Sequence, residues 1–183
     1  MWGFPSTESA FLKYVNSLSP VMVDISKLDE ARWREFMELQ LEALCVDPLA
    51  FGSSYEDEAG MPEEEWRRRS KNVLFALEGN RPVGMITLGF NERQKKRHIA
   101  AIYGFYVRKE SRNQGIGKRL IESAIKTISE KEGISKIQLY VNPLQTAAVK
   151  VYEEFGFERV GVLKKELKVN GMFYDILLME KYL

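Results

Sequence analysis

The segment from His98 to Leu120 constrains the fold more than any other part of the chain. An apolar run from Ile99 to Val107, rich in Ile, Tyr, Phe and Val and broken only by Gly104, reads as a buried strand. The charged loop Arg108-Lys109-Glu110-Ser111 follows, then Arg112-Asn113-Gln114-Gly115-Ile116-Gly117. Beyond the glycines, Leu120, Ile121, Ala124, Ile125 and Ile128 recur at spacings of three and four, which predicts one apolar helix face. A strand, a glycine-containing loop and a helix N-terminus therefore succeed one another. Glycines let the backbone approach a ligand closely, and the first N–H groups of a helix lack partners and carry the positive end of its dipole. The junction suits a phosphate or pyrophosphate, with Lys118 and Arg119 adding mobile positive charge.

Spacing separates this loop from two others that hold phosphates. A P-loop has a glycine five residues before its Gly-Lys pair and a Ser or Thr after it, where this chain has Arg112 and Arg119. A dinucleotide fingerprint needs a third glycine and an acid at the end of the next strand; position 120 is Leu, and the strand ending near Val141 supplies no acid. What remains is R-x-x-G-x-G after a long apolar strand ending in Gly-Phe-Tyr-Val. It resembles the acyl-CoA pyrophosphate loop of the GNAT superfamily of N-acetyltransferases.

A chain of 183 residues is one domain by the usual prior. A domain of that size buries roughly 70% of its extended-chain surface, enough for a sheet covered by helices. The 27 Lys+Arg nearly cancel the 26 Asp+Glu, which argues against the basic field of a nucleic-acid binder. The single cysteine, Cys45, has no internal disulfide partner, the N-terminus has no basic region ahead of a long apolar core, and no apolar run approaches the ~20 residues that span a bilayer. A cytoplasmic protein acting without membrane, nucleic acid or metal is expected.

Along the chain, residues 1–20 are expected to form a helical extension, capped near Ser6 or Thr7 with Phe11, Leu12, Val15 and Leu18 on one face. Val21 to Ile25 reads as a short strand. Ser26-Lys27-Leu28-Asp29 has capping-box spacing ahead of a helix striped by Trp33, Met37, Leu41 and Leu44, with Cys45 expected as a buried, inert thiol at its end. A loop anchored by Phe51 leads to the acids Glu56, Asp57 and Glu58. Glu63 to Arg69 then reads as a solvated helix, its acids and bases arranged to suit the helix dipole. Asn72 to Glu78, Pro82 to Asn91 and the central strand form an antiparallel meander. After the long helix, Ile137, Leu139 and Val141 mark a strand parallel to the central one through a right-handed crossover. A short helix striped by Ala148, Val151, Tyr152 and Phe155 closes at Gly156, and Asn170-Gly171 joins two long terminal strands. The expected fold is α/β of the α+β type: a mixed, mostly antiparallel sheet of about seven strands with helices on both faces. This order matches the GNAT fold over residues 21–183.

Parallel strands followed by helix N-termini leave a crevice at their carboxyl ends, here between Val107 and Val141. The resemblance implies that the backbone from Asn113 through Gln114, Gly115, Ile116 and Gly117 to Lys118, with Arg112, holds the pyrophosphate of acetyl-CoA. The pantetheine arm would run like an added strand beside Phe105, Tyr106 and Val107. It further implies attack of an amine on the thioester carbonyl. That step needs an unprotonated amine, donors for the oxyanion and an acid for the departing sulfur. A backbone N–H near Tyr106 would serve the oxyanion. Tyr152 is the candidate acid, because Tyr152-Glu153-Glu154-Phe155-Gly156-Phe157 resembles the family's Tyr-x-x-x-Gly-Phe ending; a phenol of pKa about 10 stays protonated at neutral pH. Family members often carry Asn at the start of the last core helix. This chain has Gln145 there and Asn142 just before it, and either could supply the amide contact to the cofactor arm.

On the acceptor side, Glu56 and Glu58 are candidate substrate contacts. With Glu92 and Asp175 they are also the candidates for a base acting through water. His98 stands at the start of the central strand and is expected to be structural. Cys45 lacks a neighbouring base in the pattern, so direct transfer is favoured over an acyl-cysteine. The first reading is an acetyl-CoA-dependent N-acetyltransferase acting on a small primary amine, compatible with a homodimer. The rivals are a protein or peptide N-acetyltransferase, a non-catalytic acyl-CoA-binding module and an α/β domain that binds another phosphate ligand.

Overall fold

The computed structural model describes residues 23–183; the expected extension at residues 1–20 lies outside them. The strands are β1 (Val23–Ser26), β2 (Val73–Glu78), β3 (Arg81–Phe90), β4 (Ile99–Val107), β5 (Lys136–Val141), β6 (Glu158–Val169) and β7 (Met172–Tyr182). The helices are α1 (Trp33–Val46), α2 (Tyr55–Glu58), α3 (Glu63–Ser70), α4 (Ile116–Ser129) and α5 (Thr146–Glu154). One seven-stranded sheet runs in the order β1-β2-β3-β4-β5-β7-β6. Only β4 and β5 pair in parallel; the other neighbours are antiparallel.

Both faces of the central strands are buried, so β2 and β3 are apolar without alternation. Leu74, Ala76, Ile86, Ala100 and Ile102 pack with Leu120, Ile121, Ala124 and Ile128 of α4 on one face. Val73, Phe75, Leu77 and Met85 pack with Phe36, Leu39 and Ala43 of α1 and Trp66 of α3 on the other. Each large side chain so buried stabilises the fold by about 1.5–3 kcal/mol relative to leaving it exposed.

Several local expectations are corrected. Ser26 ends β1 rather than capping a helix. Asp29 caps the short 3-10 turn before α1, its Oδ1 accepting from the Ala31 N–H at 2.8 Å. On α1 the buried face runs through Trp33, Phe36, Leu39, Gln40, Ala43 and Leu44, whereas Met37 and Leu41 are only half-buried. The inner face includes Gln40, a polar residue, because it borders the cavity rather than solid core. Cys45 is exposed, since it falls on the side of α1 away from the sheet. At Asn170-Gly171 both residues have positive φ, 50° and 80°, as a tight hairpin turn demands.

Two departures from regular pairing shape the centre of the sheet. The β4/β5 ladder starts at Ile99↔Lys136 and stops at Ile102↔Leu139, although β4 continues to Val107 and β5 to Val141. Opposite β3, the register slips between Thr87↔Tyr103 and Met85↔Tyr106, so Gly104 and Phe105 together face Ile86. Gly104 has φ +60°, and a Cβ there would lie 2.9 Å from Thr87 Oγ1. Only glycine fits this bulge.

Candidate active site

A cavity of about 830 Å³ fills the gap where β4 and β5 part and continues toward α1 and α3, a volume in the range usual for ligand sites. At one end stands the loop before α4. Asn113 (φ 62°) and Gly115 (φ 78°) are both left-handed, and no side chain caps the helix at Gly115. The first intrahelical bond into this end is Arg119 N–H to Gly115 O at 3.1 Å, which leaves the N–H groups of Ile116, Gly117 and Lys118 unclaimed by the helix. An uncapped N-terminus between left-handed residues is a cradle for an anion. The two glycines serve different needs. A Cβ on Gly115 would meet nothing within 4 Å, so its value is conformational; one on Gly117 would lie 3.1 Å from Phe105 Cζ, so its absence lets α4 close on β4.

Arg112 lines the cavity, but its guanidinium is engaged: Nε donates to Val107 O at 2.8 Å, Nη2 bonds Asp47 Oδ2, and the group sits over the Tyr106 ring at 5.6 Å. It ties the end of β4 to the end of α1. Phe105 and Tyr106 point to opposite faces. Phe105 meets Tyr152 with ring centroids 5.9 Å apart, whereas the Tyr106 hydroxyl donates to Glu42 Oε1 at 3.0 Å, and Glu42 in turn pairs with Arg108 at 2.9 Å. Burial, aided by Glu42, pushes the Tyr106 hydroxyl above the usual phenol range.

Tyr152 lies on the inner face of α5, held between Phe105 and Phe157 and lining the cavity. Burial alone raises its hydroxyl above the usual phenol value, so it is a protonated donor at neutral pH.

The structure brings Phe105, Tyr106, Val107, Arg112, Asn113, Gly115, Ile116, Gly117, Lys118, Gln145 and Tyr152 to this cavity. It does not bring the rest there. The Gln114 side chain turns back to Glu110 O at 3.3 Å. Asn142 is buried, its Oδ1 taking the Leu144 N–H at 2.9 Å in a turn, so Gln145 is the amide at the wall. Glu56 is exposed, and Glu58 is buried behind Ser53 and Arg69, because the capping box between Ser54 and Asp57 winds α2 so that Glu58 faces inward. Neither lines the cavity. Glu92 is exposed, and Asp175 bonds Lys164 Nζ at 2.7 Å and the Lys165 N–H at 2.9 Å, well away on β7. His98 is exposed and meets the rest of the sheet through its backbone carbonyl, which accepts from the Ser135 N–H.

The wall of the cavity toward α1 and α3 is built instead from Gln40, Phe51, Ser53, Arg69, Thr87 and Tyr103. Sequence reasoning missed these residues. A signal existed for Arg69, which stands three positions after the fully buried Trp66 and so shares its helix face, while Arg67 and Arg68 pair with Glu63 and Glu65 in solvent.

Comparison with known proteins agrees with this geometry. Residues 29–157 match the model of the Acetyltransferase (GNAT) family. The chain is 28% identical over 111 residues to the L-amino acid N-acetyltransferase AaaT of Escherichia coli, covering 61% of this chain and 67% of that protein. It is 27% identical over 129 residues to human N-acetyltransferase 8, covering 70% of this chain but only 51% of that one. The solved acetyltransferase of GNAT family from Streptococcus pneumoniae superposes with a TM-score of 0.79 at 23% identity, covering 88% of this chain and 100% of that one, a likeness of fold.

Proposed function

The chain belongs to the acetyltransferase (GNAT) family, and we propose that it transfers the acetyl group of acetyl-CoA directly to a primary amine of a small molecule. The observation that carries this reading is the joining, in one cavity, of an uncapped helix N-terminus and a buried tyrosine hydroxyl across the gap between β4 and β5. The amides of Ile116, Gly117 and Lys118 suit a pyrophosphate, whereas the Lys118 side chain pairs with Glu154 at 2.6 Å. The strand edge from Tyr103 to Val107, no longer paired with β5, can bond an extended amide-bearing arm. Attack by the amine nitrogen forms the C–N bond and the C–S bond breaks; Tyr152 gives its proton to the departing sulfur, the nitrogen loses one proton to water, and a proton from water restores the tyrosine. The Tyr152 hydroxyl suits that step because burial keeps it protonated. Exposed Cys45 lies outside the cavity lining, which favours direct transfer, and a free thiol suits a reducing, cytoplasmic setting.

Free thiol release from acetyl-CoA, measured against amines, amino acids, polyamines and short peptides, tests the proposal. One class of small amine should stimulate release, and Tyr152→Phe should lower kcat by about 100-fold with little change in the acetyl-CoA KM. Stimulation by peptides alone would favour a protein or peptide acetyltransferase. Acetyl-CoA binding by calorimetry without release by any acceptor would favour a binding module.

A further inference from the structure

We infer that the acceptor carries a carboxylate beside or near its reacting amine, and that Arg69 is the residue that reads it; this rests on the acetyltransferase reading above. The charged side chains lining the cavity are Asp47, Arg69, Arg112 and Lys118. Asp47 and Arg112 neutralise each other, and Lys118, in the first turn of α4, pairs with Glu154 at 2.6 Å. Arg69 is therefore the charged group of the acceptor end, and no carboxylate lines that end among the described residues. Among the described residues, a polyamine or other dication would find no unpaired carboxylate there.

The guanidinium is held in place. One edge meets the buried Glu58 carboxylate, Nη1 to Oε2 and Nη2 to Oε1, each at 3.1 Å. Nη1 also contacts Met61 Sδ at 3.2 Å, and Cζ lies 5.4 Å from the Trp66 ring centroid and 6.0 Å from that of Phe36. Ser53 Oγ donates to the same Glu58, which fixes the carboxylate in turn. The second edge, Nε–H with the outer N–H of Nη2, has no protein partner among the described residues. Two parallel donors in one plane match the two oxygens of a carboxylate, and a fork already immobilised loses little entropy on binding one. The side chain is 22% exposed, so such bonds would form partly out of water, where they are stronger. Glu58 is thus a positioning residue for Arg69 rather than a contact of the amine.

The test compares kcat/KM for three acceptors with one side chain: phenylalanine, phenylalaninamide and phenethylamine, each corrected for its fraction of unprotonated amine. The free acid should be preferred by about tenfold or more over both others. In an Arg69→Gln, Glu58→Gln double variant, which leaves no buried charge unpaired, that preference should vanish while turnover of the amide and the acetyl-CoA KM persist. A merely structural role for Arg69 would lower all three acceptors alike. Turnover of all three by the unaltered enzyme without preference for the acid overturns this inference and leaves the acetyltransferase standing. Absence of turnover with every amine overturns both.

Discussion

Gly115 is the N-cap residue of α4 and Gly117 lies two residues on in its first turn, and replacing each with alanine should have distinguishable effects. At position 115 a side chain would have room but would be forced to φ 78°, a left-handed conformation that costs about 1–2 kcal/mol. Gly115→Ala should therefore lower the thermal midpoint and, by bending the cradle, raise the acetyl-CoA KM. At position 117 the backbone is ordinary, but the new Cβ would stand 3.1 Å from Phe105 Cζ. Phe105 also packs against Tyr152. Gly117→Ala should push that ring pair out of place, lowering kcat as well as stability, the latter by about 1–3 kcal/mol. Steady-state kinetics in both substrates separate the two: an effect confined to KM at position 117 would mean that Phe105 moves aside without disturbing Tyr152.

At the scale of elements, the sequence was most legible where one element explained its own pattern. The apolar run of β4, the glycine loop and the stripe of α4 lie together in the chain, and so does the Asn170-Gly171 turn; local backbone preference and burial act there in the same direction. Legibility fell where an element answered to distant partners. The inner face of α1 includes Gln40 because it borders a cavity rather than solid core, and hydrophobic periodicity passes over a buried amide. The Ser54 and Asp57 capping box winds a single turn whose only deeply buried residue is Glu58. That carboxylate is intelligible only beside Arg69, which comes from α3. The loop end of the site was thus readable from one segment, whereas the opposite end draws on five: α1, the loop after it, α3, β3 and β4. The same non-local logic governs Glu180 on β7, which bonds Gln138 at 2.6 Å and Lys136 at 3.0 Å across the β5 ladder. The Gln138 bond, opposed by burial and assisted by Lys136, holds the Glu180 carboxyl below the ordinary carboxylate range. The folded state then binds its proton less readily than the unfolded chain does. Its contribution to stability is complete above about pH 4.3 and is lost as pH falls through the lower folded value. Glu180→Gln should lower the thermal midpoint at pH 7, and the gap from the unaltered protein should narrow toward pH 3; a gap of constant size would assign the effect to packing.

Over the whole molecule, the charges that serve the reaction are few. Among the described residues, the one carboxylate of the cavity lining is Asp47, and Arg112 holds it. The lone imidazole, His98, stands exposed at the opposite end of β4 from the gap. Among the described residues, no side chain of the lining is thus a free base with an ordinary pKa near neutrality, so the amine's own equilibrium with water is expected to set the fraction able to attack. With an acceptor well below saturation, kcat/KM should rise with unit slope in pH until the amine's own pKa, then level off. Two acceptors whose amines differ by about two pH units should have rising limbs displaced by about two pH units. Tyr152, raised by burial, remains a proton donor throughout this range and should impose no falling limb below about pH 10. A rising limb at one fixed pH for every acceptor would instead reveal a protein base, and the place to seek it would be Asp47 released from Arg112. The profiles of two amines therefore decide whether this fold prepares its nucleophile or only receives it.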